Sequence, residues 1–335
     1  MSVSSTFVLW IASIVVTGGG GAPRVPADDP SLAAARERAV DAVRKEAKEL
    51  RVRPPAEEDV RLGAVEVVWL DGSGHGQMLV IGRLVGDPAT GGAIETVRVL
   101  RDGRQVESDY PHDDVWALRV RRRTLEADEL RGLLLDLAAI SRVEVEPSVA
   151  AWTERNEDGT ISGRSGGWMS SRDFCVAVRI DGLASGGGPV RFEPFAGYAS
   201  SGSVATYARP AAAVSRLRGL SRDERAVRGE VGEGVVHGYA IALESFSDRF
   251  ETSGWWWVRE RMLVAGGRLG ADAVLPYALE VARREGGEGA SAERSRHHAI
   301  TAMARVTGEE RRFDDEGTPR PLDELVEEYA ALLGG

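Results

Sequence analysis

Cysteine is nearly absent from this chain of 335 residues, which contains only Cys175. A single thiol cannot form an intramolecular disulfide, and it excludes any zinc site that needs two or more thiolates. Cys175 stands in the middle of a predicted strand, where we expect a thiol to act as a small buried apolar group. Hydrophobic residues make up 43% of the chain, so the composition excludes a wholly disordered protein and indicates that burial supplies the stability.

Basic residues are fewer than acidic ones: the chain has 42 lysines and arginines and 52 aspartates and glutamates, which gives a net charge of −10. A protein that mainly neutralises phosphate needs an excess of basic charge, so we expect no nucleic-acid partner. One predicted strand nevertheless has a basic face, formed by Arg119, Arg121, Arg122 and Arg123. We expect these arginines to pair with Glu144 and Glu146 across a sheet.

Long hydrophobic runs are missing apart from residues 7–16. Ten residues rise about 15 Å as a helix, half of the roughly 30 Å that a bilayer core requires, so we expect no transmembrane span in the mature chain. Thr17 and four glycines follow the run, a pattern typical of a secretory signal peptide, which we place at residues 1–27. The predicted location is therefore secreted, periplasmic or in the cell envelope. Because no lysine or arginine precedes Phe7, an N-terminus that is disordered or docked on the core is the alternative.

Glycine-rich nucleotide motifs are also missing, since neither G-x-G-x-x-G nor a Walker-type loop occurs in the sequence. Residues 163–167 match the G-x-S-x-G nucleophile elbow of serine hydrolases, which requires a strand before the serine and a helix after it. Here a polar loop precedes the motif and a strand follows it, so we interpret it as a hairpin loop. The sequence therefore indicates no cofactor.

The middle of the chain has the pattern of an antiparallel sheet. Residues 28–59 are predicted to form an N-terminal helix and a charged linker, and from residue 60 the hydrophobic period changes from helical to two. Strands are predicted at 64–70, 77–85, 94–101, 104–108, 115–123, 143–146, 174–180 and 190–195, with a helix from Leu125 to about Ile140. Asp-Gly and Gly-Gly turns separate several strands, so residues 60–222 are predicted to be an α+β domain, an antiparallel sheet body with a packed helix.

Helical periodicity returns in residues 223–335, which are predicted to be an all-α unit. Its clearest amphipathic helices are predicted at 255–268, 272–284, 291–306 and from Pro321 onward. Gly270 and Gly308 are expected to end two of these helices. Residues 233–246 are apolar and fit a strand or a helix equally well.

Two segments of this unit carry the one family resemblance in the chain, Leu269–Pro276 and Arg296–Gly308. The second contains Ala299-Ile300-Thr301-Ala302-Met303, a helix face of small and apolar residues that ends in glycine. Together they resemble a pair of HEAT-type helical repeats over about residues 255–333. The resemblance implies a surface for protein–protein interaction and no chemistry, although an independent solenoid usually needs at least three repeats.

Histidines and carboxylates form one dense cluster, His112-Asp113-Asp114. Together with His75 it is the candidate catalytic group of an alternative function, a hydrolase whose site lies at the junction of the two predicted domains. His297 and His298 are adjacent, so on a helix they point about 100° apart and do not share a face as two ligands at i and i+4 do. We therefore predict no metal site.

Trp255, Trp256 and Trp257 are the most unusual local feature, because three successive indoles on a helix cannot all face one core. They are the candidate binding residues, as a stacking platform for a sugar or for a partner side chain. The other interpretation is that two of them fill the junction between sheet and helices while the third lies along it.

These patterns favour a secreted or envelope-associated, non-enzymatic protein that acts as a scaffold or binds another protein. The signal-like segment, the helical last third and the lack of context around every catalytic motif support this prediction. The hydrolase is the first alternative, and a carbohydrate-binding protein that uses the tryptophan run is the second.

Overall fold

The computed structural model describes residues 59–73, 78–101, 116–144, 154–155, 161–163, 174–197, 204–221, 225–226, 231–252, 255–284 and 290–334. Within these ranges the chain forms ten strands and seven helices. The predicted signal peptide, N-terminal helix and linker lie outside the described residues, as does the strand predicted at 104–108.

Eight strands form one antiparallel sheet in the order β10-β4-β3-β2-β1-β7-β8, with β9 beside β7. The strands are β1 (Val60–Ser73), β2 (Met78–Asp87), β3 (Gly91–Arg101), β4 (Trp116–Leu125), β7 (Phe174–Ser185), β8 (Gly188–Pro189), β9 (Phe195–Gly197) and β10 (Arg225–Ala226). A separate hairpin consists of β5 (Glu154–Arg155) and β6 (Ile161–Gly163). The first four strands are a meander, as the short turns predict, and the predicted α+β class is confirmed.

Both faces of the sheet are buried at its centre. On β1, Val67 and Trp69 belong to one hydrophobic core, while Val68 and Leu70 belong to another. Successive side chains of a strand point to opposite faces, and a strand covered on both faces has a nearly continuous apolar sequence. The run Val67-Val68-Trp69-Leu70 is therefore the sequence of a central strand between two layers of helices.

The first layer consists of two helices, α1 (Ala127–Ser141) and α2 (Val204–Leu220), which contact each other and the sheet. A capping box begins α1, in which the side chain of Glu126 accepts from the backbone of Glu129 while the side chain of Glu129 accepts from the backbone of Glu126. Trp69 projects toward this layer, and it packs over Gly82, its direct partner on β2. A Cβ on Gly82 would lie 2.0 Å from the indole, so only glycine fits there.

The second layer covers the opposite face with five helices. They are α3 (Glu233–Phe246), α4 (Trp256–Leu269), α5 (Val274–Arg283), α6 (Ala290–Thr307) and α7 (Leu322–Leu332). α3 lies on β1, β2 and β3, α4 contacts β3 and β4, and α6 contacts α4, α5 and α7. Gly270 has a φ of 63° and Gly308 a φ of 73°, the left-handed conformation with which glycine ends helices, and α4 and α6 end at these predicted residues.

Alternating charges on neighbouring strands lie under the start of α3. We call these residues the charge ladder: Glu66, Arg83, Glu95 and Arg122. Arg83 Nε donates to Glu66 Oε1 at 2.7 Å, and Arg122 Nε donates to Glu95 Oε1 at 2.7 Å. Arg83 also donates to the backbone carbonyl of Gly234 in the first turn of α3, at 3.4 Å. These contacts cross β1 to β4 and fix the start of α3 above the middle of the sheet.

Several local expectations were wrong. Arg122 pairs with Glu95 on the neighbouring strand and Arg123 pairs with Glu129 in α1, whereas Val143 and Glu144 follow α1 outside any strand. The acids nearest in space are thus those of β3 and α1, and Glu146 lies outside the described residues. The segment 233–246, for which the sequence left strand and helix open, is a helix.

Candidate functional site

The predicted catalytic residues are not placed by this structure. His75, His112, Asp113 and Asp114 lie outside the described residues, as do residues 164–167 of the G-x-S-x-G segment. The hydrolase therefore stays a prediction. Among the residues that are described, no group of three histidine, cysteine, aspartate or glutamate side chains could hold a metal ion. His297 and His298 are both buried within α6.

The three successive tryptophans differ in burial: two lie in the core and one lies at its edge. Trp255 and Trp257 keep only 4% and 2% of their surface exposed, whereas Trp256 is half-buried. The Trp255 ring lies 6.2 Å from that of Phe250, and Trp257 packs against Gly72 of β1. Two indoles therefore fill the junction between sheet and helices, as the structural interpretation of the run predicts. Only Trp256 has appreciable surface for a ligand, and the carbohydrate-binding function stays a prediction.

Arg261 links the run to the sheet. Its guanidinium lies over the ring of Trp116 on β4, 4.4 Å from the centroid, and over the ring of Trp257, 4.8 Å from the centroid. Arg261 Nη1 also donates to the carbonyl oxygen of Trp257 at 2.5 Å. A guanidinium stacks well on aromatic faces because it is planar and weakly hydrated. The cation is buried and holds α4 on the edge of the sheet next to β10.

Trp256 is covered in turn by a second arginine. The Arg294 guanidinium lies 5.6 Å from the centroid of the Trp256 ring, and its Nε donates to Glu260 Oε1 at 2.8 Å. Burial raises the pKa of the Glu260 carboxyl, although the charges of Arg294, Arg261 and Arg259 act in the opposite direction. A buried carboxyl with raised pKa is often functional, but here its partners tie α4 to α6 and give it a structural role.

A groove of about 450 Å³ lies between α3 and α5. Two helical stripes with spacings of three and four residues face each other across it. The lining residues are His237, Ala240, Ile241, Leu243, Glu244 and Ser247 from α3 and the residue after it, and Ala273, Pro276, Tyr277 and Glu280 from α5 and the residue before it. We call this surface the α3–α5 groove.

The groove has an apolar floor and an acidic rim. Ile241, Leu243 and Tyr277 are buried, while Glu244 and Glu280 are exposed on opposite walls. Burial raises the pKa of the Tyr277 hydroxyl well above its ordinary value, and the charge of Glu251 raises it further, so this phenol stays protonated and neutral. Small side chains, among them Ala240, leave the floor accessible between the walls.

One end of the groove lies beside the charge ladder. His237 Nε2, at one end of the groove, lies 3.7 Å from Glu66 Oε1, which also accepts from Arg83. Sequence reasoning missed the groove because its two walls are 36 residues apart and meet only in the fold. The available signal was weak: two small residues, Ala240 of α3 and Ser247 directly after it, lie on this stripe where larger side chains would be expected.

The described helices include none with the length and apolar character to cross a bilayer, and the single cysteine leaves the chain without an intramolecular disulfide. The chain was compared with known protein families, with curated protein sequences and with solved structures, and none of the three comparisons found a match.

Proposed function

We propose that this chain is a secreted or envelope-associated, non-enzymatic protein that binds another protein through the α3–α5 groove. The observation that carries the proposal is the pair of helical stripes that face each other across an open groove with an apolar floor. Recognition of an amphipathic helix in such a groove uses the same three- and four-residue spacings as packing between helices.

The shape of the groove favours a helix over a small molecule. Small-molecule sites enclose most of the ligand surface, whereas this groove is open to solvent along one side. Ala240 on one wall and Ala273 on the other leave room for side chains of a third helix between α3 and α5. Apolar side chains at i and i+4 of that helix would contact Ile241 and Tyr277.

The rim indicates the charge of the partner. Glu244 is exposed, and Glu280 is exposed while it accepts from Arg284 Nη2 at 2.6 Å. Basic residues on both sides of an apolar stripe would complement these carboxylates and exclude acidic partners, because like charges at an interface are unfavourable. The resemblance of residues 255–333 to a pair of HEAT-type repeats, which implies a protein-binding surface, supports the same function, and the signal-like segment supports export.

Filling the groove tests the proposal. Ala240→Trp and Ala273→Trp place an indole on each wall, and Ala331→Trp places one on the exposed side of α7 as a matched control. The variants are first compared by thermal unfolding, and those with the wild-type midpoint are used to capture proteins from envelope extract of the source organism.

We expect one protein to be captured by the wild type and by Ala331→Trp, and to be lost with either groove variant. The captured protein should then bind the purified wild type directly, with the same loss in the groove variants. Capture that is equal in all four chains, or no capture by the wild type, would contradict the proposal.

A further inference from the structure

The two carboxylates on the rim of the α3–α5 groove differ in their surroundings. Glu280, on the α5 wall, accepts from Nη2 of Arg284, the residue that follows α5, at 2.6 Å. Glu244, on the α3 wall, is exposed and forms no ion pair with any described residue. A partner in the groove therefore meets one carboxylate that is already paired and one that is not.

Arg284 is held at the end of the α5 wall by a chain of polar contacts. It also pairs with Glu251, whose Oε2 atom accepts from Arg259 Nη1 of α4 at 2.6 Å. Arg259 Nη2 in turn donates to Ser295 Oγ of α6 at 2.9 Å. Two carboxylates therefore hold the Arg284 guanidinium, and its positive charge stays beside Glu280.

The acid near the start of the α3 wall is paired as well. Glu66 Oε1 lies 3.7 Å from His237 Nε2 and accepts from Arg83 Nε at 2.7 Å. A cation that approaches an ion pair is attracted by the acid and repelled by the base, so the two Coulomb energies largely cancel. Glu244 is the carboxylate of the described groove that attracts a cation without an arginine beside it.

We propose that Glu244 determines which partner helices the groove accepts, by pairing with a lysine or arginine on one flank of the partner's apolar stripe. This inference rests on the proposed protein-binding function and specifies the partner. Arg284 has the opposite effect, because it repels a basic residue that approaches Glu280. A base on that flank therefore contributes less affinity than the one beside Glu244, and the unequal walls discriminate between partners.

Helix geometry translates this difference into a sequence pattern. Successive residues of a helix are turned by about 100°, so the positions i+1 and i+3 lie on opposite flanks of a stripe formed by i and i+4. A helix in the groove turns one flank toward α3 and the other toward α5. Reversing its direction exchanges the flanks, so a base at either position can face Glu244. The fitting partner has basic residues on one flank of its apolar stripe.

Other occupants fit these charges less well. An acidic helix would place its carboxylates beside Glu244, and like charges at an interface are unfavourable. The phosphates of a nucleic acid would meet the same repulsion. A second copy of the chain would fill the groove by forming a dimer, which sedimentation detects.

The test uses the full chain and three fluorescent peptides of about 18 residues, a length that supports a helix. All three have one leucine stripe in an alanine background. The first has lysine on one flank and glutamine on the other, the second has lysine on both flanks, and the third has glutamine on both. Binding is measured by fluorescence anisotropy, with chain variants that keep the wild-type midpoint of thermal unfolding.

We expect the one-flank lysine peptide to bind more tightly than the glutamine peptide and within about twofold of the two-flank peptide. Glu244→Lys should raise the dissociation constant of the one-flank peptide about fivefold or more, because an attraction becomes a repulsion. It should leave binding of the glutamine peptide unchanged. Glu327→Lys, the same change at an exposed position of α7, is the matched control and should bind all three peptides like the wild type.

Arg284→Gln tests the opposite wall. It removes the cation beside Glu280, so it should tighten binding of the two-flank peptide about threefold, with a smaller gain for the one-flank peptide. Arg284→Lys keeps the positive charge and should bind like the wild type. If Arg284→Gln lowers the unfolding midpoint, the comparison of Glu244→Lys with Glu327→Lys decides.

Four results would overturn the inference: no binding of any peptide, equal binding of the one-flank peptide by Glu244→Lys and Glu327→Lys, much tighter binding of the two-flank peptide, or a wild-type dimer that Ala240→Trp dissociates. Ala240→Trp should lose all three peptides, because it fills the groove itself. Loss of a captured protein with Ala240→Trp, but not with Glu244→Lys, would leave the proposed function standing without this specificity.

Discussion

The indole of Trp257 lies so close to Gly72 that a Cβ on the glycine would be 2.0 Å from its Cη2 atom. Gly72 belongs to β1 and Trp257 to the first turn of α4, so the contact joins the end of an inner strand to the second layer. The Trp257 side chain fits against β1 only because Gly72 has no side chain.

Gly72→Ala should therefore lower the free energy of unfolding by about 1–3 kcal/mol, the usual cost of overpacking a core. Urea denaturation followed by circular dichroism measures this loss. In a Trp257→Leu background the same substitution should cost much less, because the obstructing ring is gone. Equal losses in both backgrounds would contradict the assigned contact.

Gly132→Ala should have the opposite effect. Gly132 is exposed inside α1, and an added Cβ would have no atom within 4 Å. Alanine favours a helix interior over glycine by about 0.5–1 kcal/mol, so the unfolding free energy should rise by roughly that amount. Urea denaturation of this variant also serves as the control for Gly72→Ala, and a loss of stability would contradict the exposed helical position of Gly132.

Arg261→Met should destabilise the protein by about 2 kcal/mol or more, because the cation between Trp116 and Trp257 is buried and desolvated. Tryptophan fluorescence should change in the same variant, since two indoles lose their common neighbour. Arg261→Lys tests the planar stack, because lysine keeps the charge but cannot lie flat between two rings. Wild-type stability in both variants would refute a stabilising role for the stack.

Glu260 should make stability depend on pH. Its pKa is raised in the folded protein above the ordinary value of 4.5 by burial. A carboxyl with a raised folded pKa contributes stability that is complete below the unfolded pKa and is lost as pH rises through the folded pKa. Glu260→Gln keeps the shape but cannot ionise, so it should gain stability relative to the wild type as pH increases above 4.5.

Unfolding free energies at several pH values from 4 to 7 would measure this difference. Arg294 keeps partial solvent exposure, so it does not become a fully buried unpaired charge in the variant. Glu327→Gln, an exposed change on α7, is the control and should show no such trend. A difference that is constant with pH would contradict the burial of the Glu260 carboxyl.

Cys175 should resist thiol reagents in the folded protein. It is fully buried on β7, burial raises the pKa of its thiol well above the ordinary range, and the charge of Asp71 raises it further. The thiolate is the reactive form, so both access and ionisation oppose modification. We expect thiol reagents to label Cys175 only as fast as the protein unfolds, which can be measured at increasing urea concentrations. Fast labelling without denaturant would contradict the burial of Cys175.

The sequence predicts local elements of this fold well, because their signals are local. Strands β1 to β4, the helix near residue 130 and the four last helices follow from periodicity and turn residues alone. The burial of Cys175 also follows from its apolar neighbours in the sequence, and this prediction is confirmed.

Long-range relationships could not be predicted in the same way. Nothing near Arg122 in the sequence indicates Glu95, because their pairing depends on the register of β3 against β4. The same holds for the α3–α5 groove, whose walls become neighbours only when both helices pack on other elements. The segment 233–246 is apolar enough to form a strand or a helix. In the fold it is a helix that packs on β1, β2 and β3, and Arg83 of the charge ladder contacts its first turn.

The order of the strands and helices along the chain also affects folding during synthesis. The sheet face that contains Val68, Leu70 and Leu79 is covered by helices that begin at Glu233, so a ribosome completes all the long strands before any of this cover exists. During that interval the nascent strands expose an apolar surface of the kind that aggregates or recruits chaperones. A product terminated before residue 233 would keep this surface uncovered, and we expect cells to degrade it rather than accumulate a half-folded protein.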